Sequence, residues 1–226
     1  MKRTTHQRTP TVDRLEVRLT PSTFGYAWHD PKSLTLSFAP DGTDVAGAPS
    51  NLSTLMQSQM SASTWQLEML RAFQTWAAQA NIDIGVMADQ GLPFGQARAV
   101  QGGGKEGDLR IGARPMSNSE LAAATPFDLF GVWSGDVIFN SNNKFNVGGT
   151  NGGYDLYTVM LQEAGHTRGL PNSSSSTSAM YTRYLGARSG LSAADVTNIR
   201  ALYGARSPDR FEGSTGNSAF TTATRL

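Results

Sequence analysis

Leu156-Tyr157-Thr158-Val159-Met160-Leu161-Gln162-Glu163-Ala164-Gly165-His166-Thr167-Arg168-Gly169-Leu170-Pro171-Asn172 is the stretch from which the rest of this chain is read. The pattern predicts a helix over Asp155 to Arg168. On it, Gln162 and His166 stand four residues apart and share one face, with Glu163 beside them. Gly169 can take a positive φ and turn the chain sharply. Asn172 follows on the returning segment, where its side chain can face the same point. Eight residues after Asn172 comes Met180, in Ser178-Ala179-Met180-Tyr181.

Outward from that stretch, apolar spacing marks the other elements. Leu34, Leu36 and Phe38 alternate with Thr35 and Ser37, which predicts a half-buried strand. Trp65, Met69, Ala72, Phe73, Trp76 and Ala80 recur at helical spacing and predict an amphipathic helix of roughly 17 residues, capped by Ser63 or Thr64. Ile82, Ile84 and Val86 alternate again. Leu109 to Ala113 and Val137 to Phe139 read as two more short strands. Ser192-Ala193-Ala194-Asp195 has the form of a capping box. It opens a last helix with an apolar face of Val196, Ile199, Leu202 and Tyr203, stopped by Gly204. Strand, long helix, three strands and two helices predict an α+β domain over about residues 23–205, a mixed sheet backed by helices.

The composition narrows the chemistry. The 226 residues include no cysteine and three histidines. Disulfide scaffolds, cysteine zinc ribbons, iron–sulfur clusters and thiol catalysis are thereby excluded. A formal net charge of +1 provides no electrostatic basis for nucleic-acid binding. No stretch approaches the ~18 apolar residues of a membrane helix. Gly102-Gly103-Gly104-Lys105 is not a phosphate loop, because Ala99 and Glu106 stand where Gly and Ser/Thr are required. It reads as part of a flexible connection. No Gly-x-Ser-x-Gly elbow is present to anchor a hydrolase triad.

The ends differ from the middle. Residues 1–22 carry Lys2, Arg3, Arg8, Arg14 and Arg18 with no apolar run behind them, so they do not form an ordinary secretory signal. They read either as a disordered basic tail or as an export-related element. Arg14-Leu15-Glu16-Val17-Arg18-Leu19-Thr20-Pro21 resembles the Leu-Glu-x-Arg element that opens many large bacterial surface and exported proteins. Residues 206–226 are rich in Ser, Thr, Gly and Asn and read as a linker or the truncated start of a further domain.

The stretch from Gln162 to Met180 resembles the metzincin signature, His-Glu-x-x-His-x-x-Gly-x-x-His followed by a Met-turn. More specifically it is similar to the matrixin family. Asp155-Leu156-Tyr157-Thr158-Val159 is similar to the lead-in of that family's active-site helix. Asp108-Leu109-Arg110-Ile111-Gly112-Ala113 looks like one of its earlier strands. Gly135-Asp136-Val137-Ile138-Phe139-Asn140 looks like its substrate-side edge strand. Leu191 through Gly204 looks like its final helix. The resemblance implies a twisted five-stranded mixed sheet, a long backing helix, an active-site helix, a Met-turn at Met180 and a C-terminal helix. It also implies a Zn²⁺-dependent metalloendopeptidase, secreted or at the cell surface, acting on an extended peptide or protein. Glu163 falls at the general-base position, and Val137, Ile138 and Phe139 at the substrate strand.

The zinc positions depart from that pattern. The family uses three neutral imidazoles, which leave an open position for water. Here only His166 is an imidazole; Gln162 and Asn172 occupy the other two positions and offer weaker amide oxygens. His6 lies in the tail and His29 in a loop before the first strand. Without zinc to lower the pKa of the attacking water to about 7, Glu163 would face an ordinary water molecule. Two functions follow: a metalloendopeptidase of weak or absent activity, or a catalytically dead peptide-binding or spacer module of a surface protein. Glu163 is then either the base or a solvent-facing helix residue, and His166 either a ligand or a hydrogen-bonded histidine. Tyr184 is a further candidate to reach the cleft from its far side. Structural Ca²⁺, which the family also carries, could use Asp41, Asp44 or Asp108, while Asn140 to Lys144 has amides where carboxylates would be wanted.

Overall fold

The computed structural model describes residues 25–96, 101–128 and 131–208. The basic segment 1–22 and the stretch 209–226 lie outside the described residues.

Five strands form the sheet: β1 (Leu34–Phe38), β2 (Ile84–Val86), β3 (Leu109–Arg114), β4 (Ala122–Ala124) and β5 (Asp136–Asn140). Their order is β2-β1-β3-β5-β4. The pairs β1–β2, β1–β3 and β3–β5 are parallel, and β4 runs antiparallel to β5. The sheet is mixed: β4 and β5 are consecutive in the chain and antiparallel, whereas each parallel pair is separated by a longer crossover. The helices are α1 (Leu52–Gln57), α2 (Ala62–Ala77), α3 (Leu156–His166) and α4 (Ala193–Tyr203).

Alternation along the strands sorts the two faces of the sheet. Leu34, Leu36, Leu109, Ile111, Val137 and Phe139 face one way and are buried with Trp65, Met69, Phe73 and Trp76 of α2 and Leu156, Met160 and Leu161 of α3. Trp76 Nε1 donates to Leu161 O at 2.8 Å, which fixes α2 against α3. The opposite face carries a smaller apolar group of Ala39, Val45 and Phe94, with Trp133 and Ile138 packed on it.

Three sequence expectations change in detail. The cap of α2 is Ser61, not Ser63 or Thr64: Ser61 is extended (φ −65°, ψ 157°) and its hydroxyl accepts from Thr64 N. Ser63 and Thr64 lie within the first turn. Ile82 is buried but precedes β2 instead of belonging to it. In α4 the buried positions are Asp195, Ile199 and Tyr203, and Val196 and Leu202 are only partly covered. The Ser192–Asp195 capping box itself is present.

Strand β4 was not anticipated. Ala122-Ala123-Ala124 has neither alternation nor strong β propensity. Its position is set by pairing Ala122 with Phe139 and Ala124 with Val137.

Candidate active site

Helix α3 is held at its start by Asp155. The Asp155 carboxylate accepts from Thr158 N at 2.9 Å and from Gly148 N at 2.7 Å. The Asp155 N–H donates to Tyr184 Oη at 2.9 Å. Tyr184 therefore anchors the beginning of α3, not the far side of the cleft.

At the other end of α3 the signature residues converge. Gln162 Nε2 donates to Asn172 Oδ1 at 3.3 Å. His166 is 7% exposed, and its Nδ1 lies 2.9 Å from Leu170 O. A carbonyl only accepts, so Nδ1 carries the proton. The Asn172 side chain also hydrogen-bonds His166. Burial pushes the His166 pKa down, against the opposing effects of Leu170 O and Asn172. The turn through Gly169 (φ 86°) brings Asn172 back over the helix end.

Met180 lies under this group. Its backbone N–H donates to Ser178 Oγ at 3.0 Å, and Met180 O accepts from Ser173 N at 2.8 Å. Asp195 of α4 accepts from Ala179 N at 2.8 Å and from the Ser178 hydroxyl, which ties the turn to the last helix. The Met180 thioether packs directly on Gly165, so closely that a Cβ at 165 would collide with the sulfur.

Glu163 is not solvent-facing. It is 6% exposed, and its pKa is pushed up to about 8, first by burial and then by the charge of Glu120. A carboxyl in that state is largely protonated at neutral pH.

These residues do not fit zinc. The donor set is one imidazole and two amides, and the amides are bonded to each other. Structural and catalytic zinc is held by imidazole, thiolate or carboxylate groups. Among the described residues no three His, Cys, Asp or Glu side chains stand together as a metal cage. Of the carboxylates considered for calcium, Asp41 accepts from Ser53 N and Thr54 N at 2.8 and 2.9 Å. Asp44 accepts from Gly47 N at 2.7 Å. Asp108 accepts from Thr35 N and Gly102 N at 2.9 and 2.6 Å.

Val137, Ile138 and Phe139 are not at an edge. Strand β5 is paired on both sides, with β3 and with β4, and Val137 and Phe139 are fully buried. Its backbone has no free side to which a peptide could add. The edge on this side of the sheet is β4, where Ala123 is exposed and no further strand pairs among the described residues. Strand β4 runs beside α3, the helix carrying Gln162, Glu163 and His166. Glu120, just before β4, was not singled out from sequence because its effect on Glu163 depends on this folding.

The fold and the convergent helix, turn and methionine define a metallopeptidase-like domain. The chain belongs to the matrixin family, which it matches over residues 51–204. No curated protein matches it.

Proposed function

We propose that this matrixin domain keeps its peptide groove and has lost zinc-dependent hydrolysis, so that it serves as a peptide-binding module of an exported or surface protein. The observation that carries this is the hydrogen bond between Gln162 and Asn172. Two positions that would each present an imidazole to zinc instead satisfy one another. An extended peptide would add to the free side of β4 by main-chain hydrogen bonds, and the groove against α3 would receive alternate side chains. Gln162, Asn172 and Glu163 would meet such a peptide as hydrogen-bonding groups. The extracellular setting rests on the family resemblance and on the Leu15-Glu16-Val17-Arg18 element. On this reading residues 23–205 are the domain, with 1–22 and 206–226 as flanking segments.

A working zinc endopeptidase is the second reading. It is favoured by the place of Glu163 beside Gln162 and His166. Its requirement is that two amide oxygens replace two imidazoles as ligands. Cleavage of unfolded casein by the purified protein, with and without added zinc, separates the two. The module predicts no chelator-sensitive cleavage above that of Glu163→Ala. Chelator-sensitive cleavage that Glu163→Ala abolishes would establish the enzyme.

A further inference from the structure

A second polar cluster occupies the face of the sheet turned away from α2 and α3. The segment after β2 folds back over that face, and Phe94 N donates to Asp44 O at 2.8 Å. Asp89 accepts from Arg110 Nε and Nη2, both at 2.8 Å. Ser37 Oγ and Gly91 N also donate to Asp89, at 2.7 and 2.8 Å. The Arg110 guanidinium carbon lies 4.1 Å from the centre of the Phe94 ring. This ion pair is thus closed on itself.

Beside it is a cleft of about 250 Å³, lined by Leu92, Pro93, Phe94, Glu106, Arg110 and Asp136. Glu106 differs from the Asp89 pair. It is 7% exposed, and its Oε2 is buried with no hydrogen-bond partner among the described residues. A buried carboxylate oxygen without a donor is unfavourable, and a positively charged donor entering the cleft removes the cost. Among the described residues the cleft does not offer three side chains of a metal cage. Its apolar part, from Leu92 to Phe94, suits a methylene stem, as long basic side chains require. Its volume is near the lower limit of ligand pockets and admits one such chain.

We propose that this cleft binds an alkyl-guanidinium or alkyl-ammonium group, with Glu106 as its counter-ion. The cleft and α3 are on opposite faces of the sheet, so the proposal is independent of what Gln162, Glu163 and His166 do. Lys105, exposed at the rim, opposes the entering charge.

The test is titration of the full chain at low salt with N-acetyl-arginine amide, with butylguanidine and with N-acetyl-norleucine amide, followed by calorimetry or amide chemical shifts. At least one cationic probe should bind saturably and the neutral one should not. Binding of the arginine amide alone assigns the site to a polypeptide side chain, and binding of butylguanidine assigns it to a free alkylguanidine as well. Glu106→Gln should weaken binding at least ten-fold, and Lys105→Met should tighten it two- to three-fold. Absence of saturable binding by either cation, or equal affinity in Glu106→Gln, would overturn the proposal. If Glu106→Gln does not fold, unchanged or weakened binding in Lys105→Met overturns it equally.

Discussion

Gln162 and Asn172, ten residues apart on either side of the Gly169 turn, are joined side chain to side chain at 3.3 Å. Under the proposed function these are two of the three positions that the family resemblance assigns to zinc ligands, and here their side chains satisfy each other.

Glu163 is the first place where this has a measurable consequence. Its folded-state pKa of about 8 lies well above the ordinary carboxyl value of 4.5. A carboxyl shifted upward stabilises the fold relative to its ionised form below the unfolded pKa, and that contribution is lost as pH rises through 8. In chelator-treated protein, Glu163→Gln should therefore raise Tm at pH 8 and leave it nearly unchanged at pH 4. Thermal melts at the two pH values check this. An equal effect at both would show that burial of the charge is not the cause.

Gly165 tests the packing under the site. In a helix interior Gly→Ala ordinarily gains roughly 0.5–1 kcal/mol. Here the new methyl would sit on the Met180 sulfur and 3.0 Å from the Trp76 ring, and overpacking costs about 1–3 kcal/mol. Gly165→Ala should be net destabilising by about 1–2 kcal/mol. Combining it with Met180→Ala should cost less than the sum of the two single changes, because the second removes the collision.

Asp89 and Arg110 form a pair whose side chains are 0% and 3% exposed. Burial alone would raise the Asp89 pKa, but hydrogen bonds from Arg110, Ser37 and Gly91 and the Arg110 charge bring it below its ordinary value. A depressed carboxyl stabilises the fold above its unfolded pKa, and the effect is lost as pH falls through the folded one. Acid unfolding should thus draw on this pair below about pH 4. Asp89→Ala should cost about 3–5 kcal/mol near neutrality by leaving Arg110 buried and unpaired, and the Asp89→Ala/Arg110→Met double variant should recover much of it.

Arg168 is fully buried. Its Nη1 donates to Ala164 O at 2.5 Å, and its Nε and Nη2 have no partner among the described residues. Burial lowers its pKa to about 10. The Phe73 ring, 4.9 Å away, offsets part of the desolvation. Arg168→Met keeps the stem and removes the charge, so it should stabilise by about 1–3 kcal/mol. A loss of stability in denaturant melts would mean that the guanidinium is better satisfied than the geometry indicates.

Much of the fold was legible because burial leaves a period in the sequence. Leu34–Phe38, the α2 stripe from Trp65 to Trp76, and the Ser192–Asp195 box each encode their element locally. The order from Gln162 through Gly169 to Met180 encodes the site. Strand β4 was illegible because three alanines carry no pattern, and its pairing is a property of β5. The family resemblance puts Val137–Phe139 at the edge, and the residues themselves offer no check, because alternation reports which face is buried and not which neighbours flank a strand. The burial of Glu163 and Arg168 was hidden too, since helical charges carry no mark of what packs over them.

The most direct test is zinc titration of the metal-free wild-type chain beside the Gln162→His/Asn172→His double variant, read by calorimetry and by Tm. The account predicts no tight zinc site in the wild type. It predicts one equivalent bound in the double variant, with a gain of about 2.7 kcal/mol when zinc is at 100 times Kd. Stoichiometric tight zinc in the wild type, or none in the double variant, would contradict it.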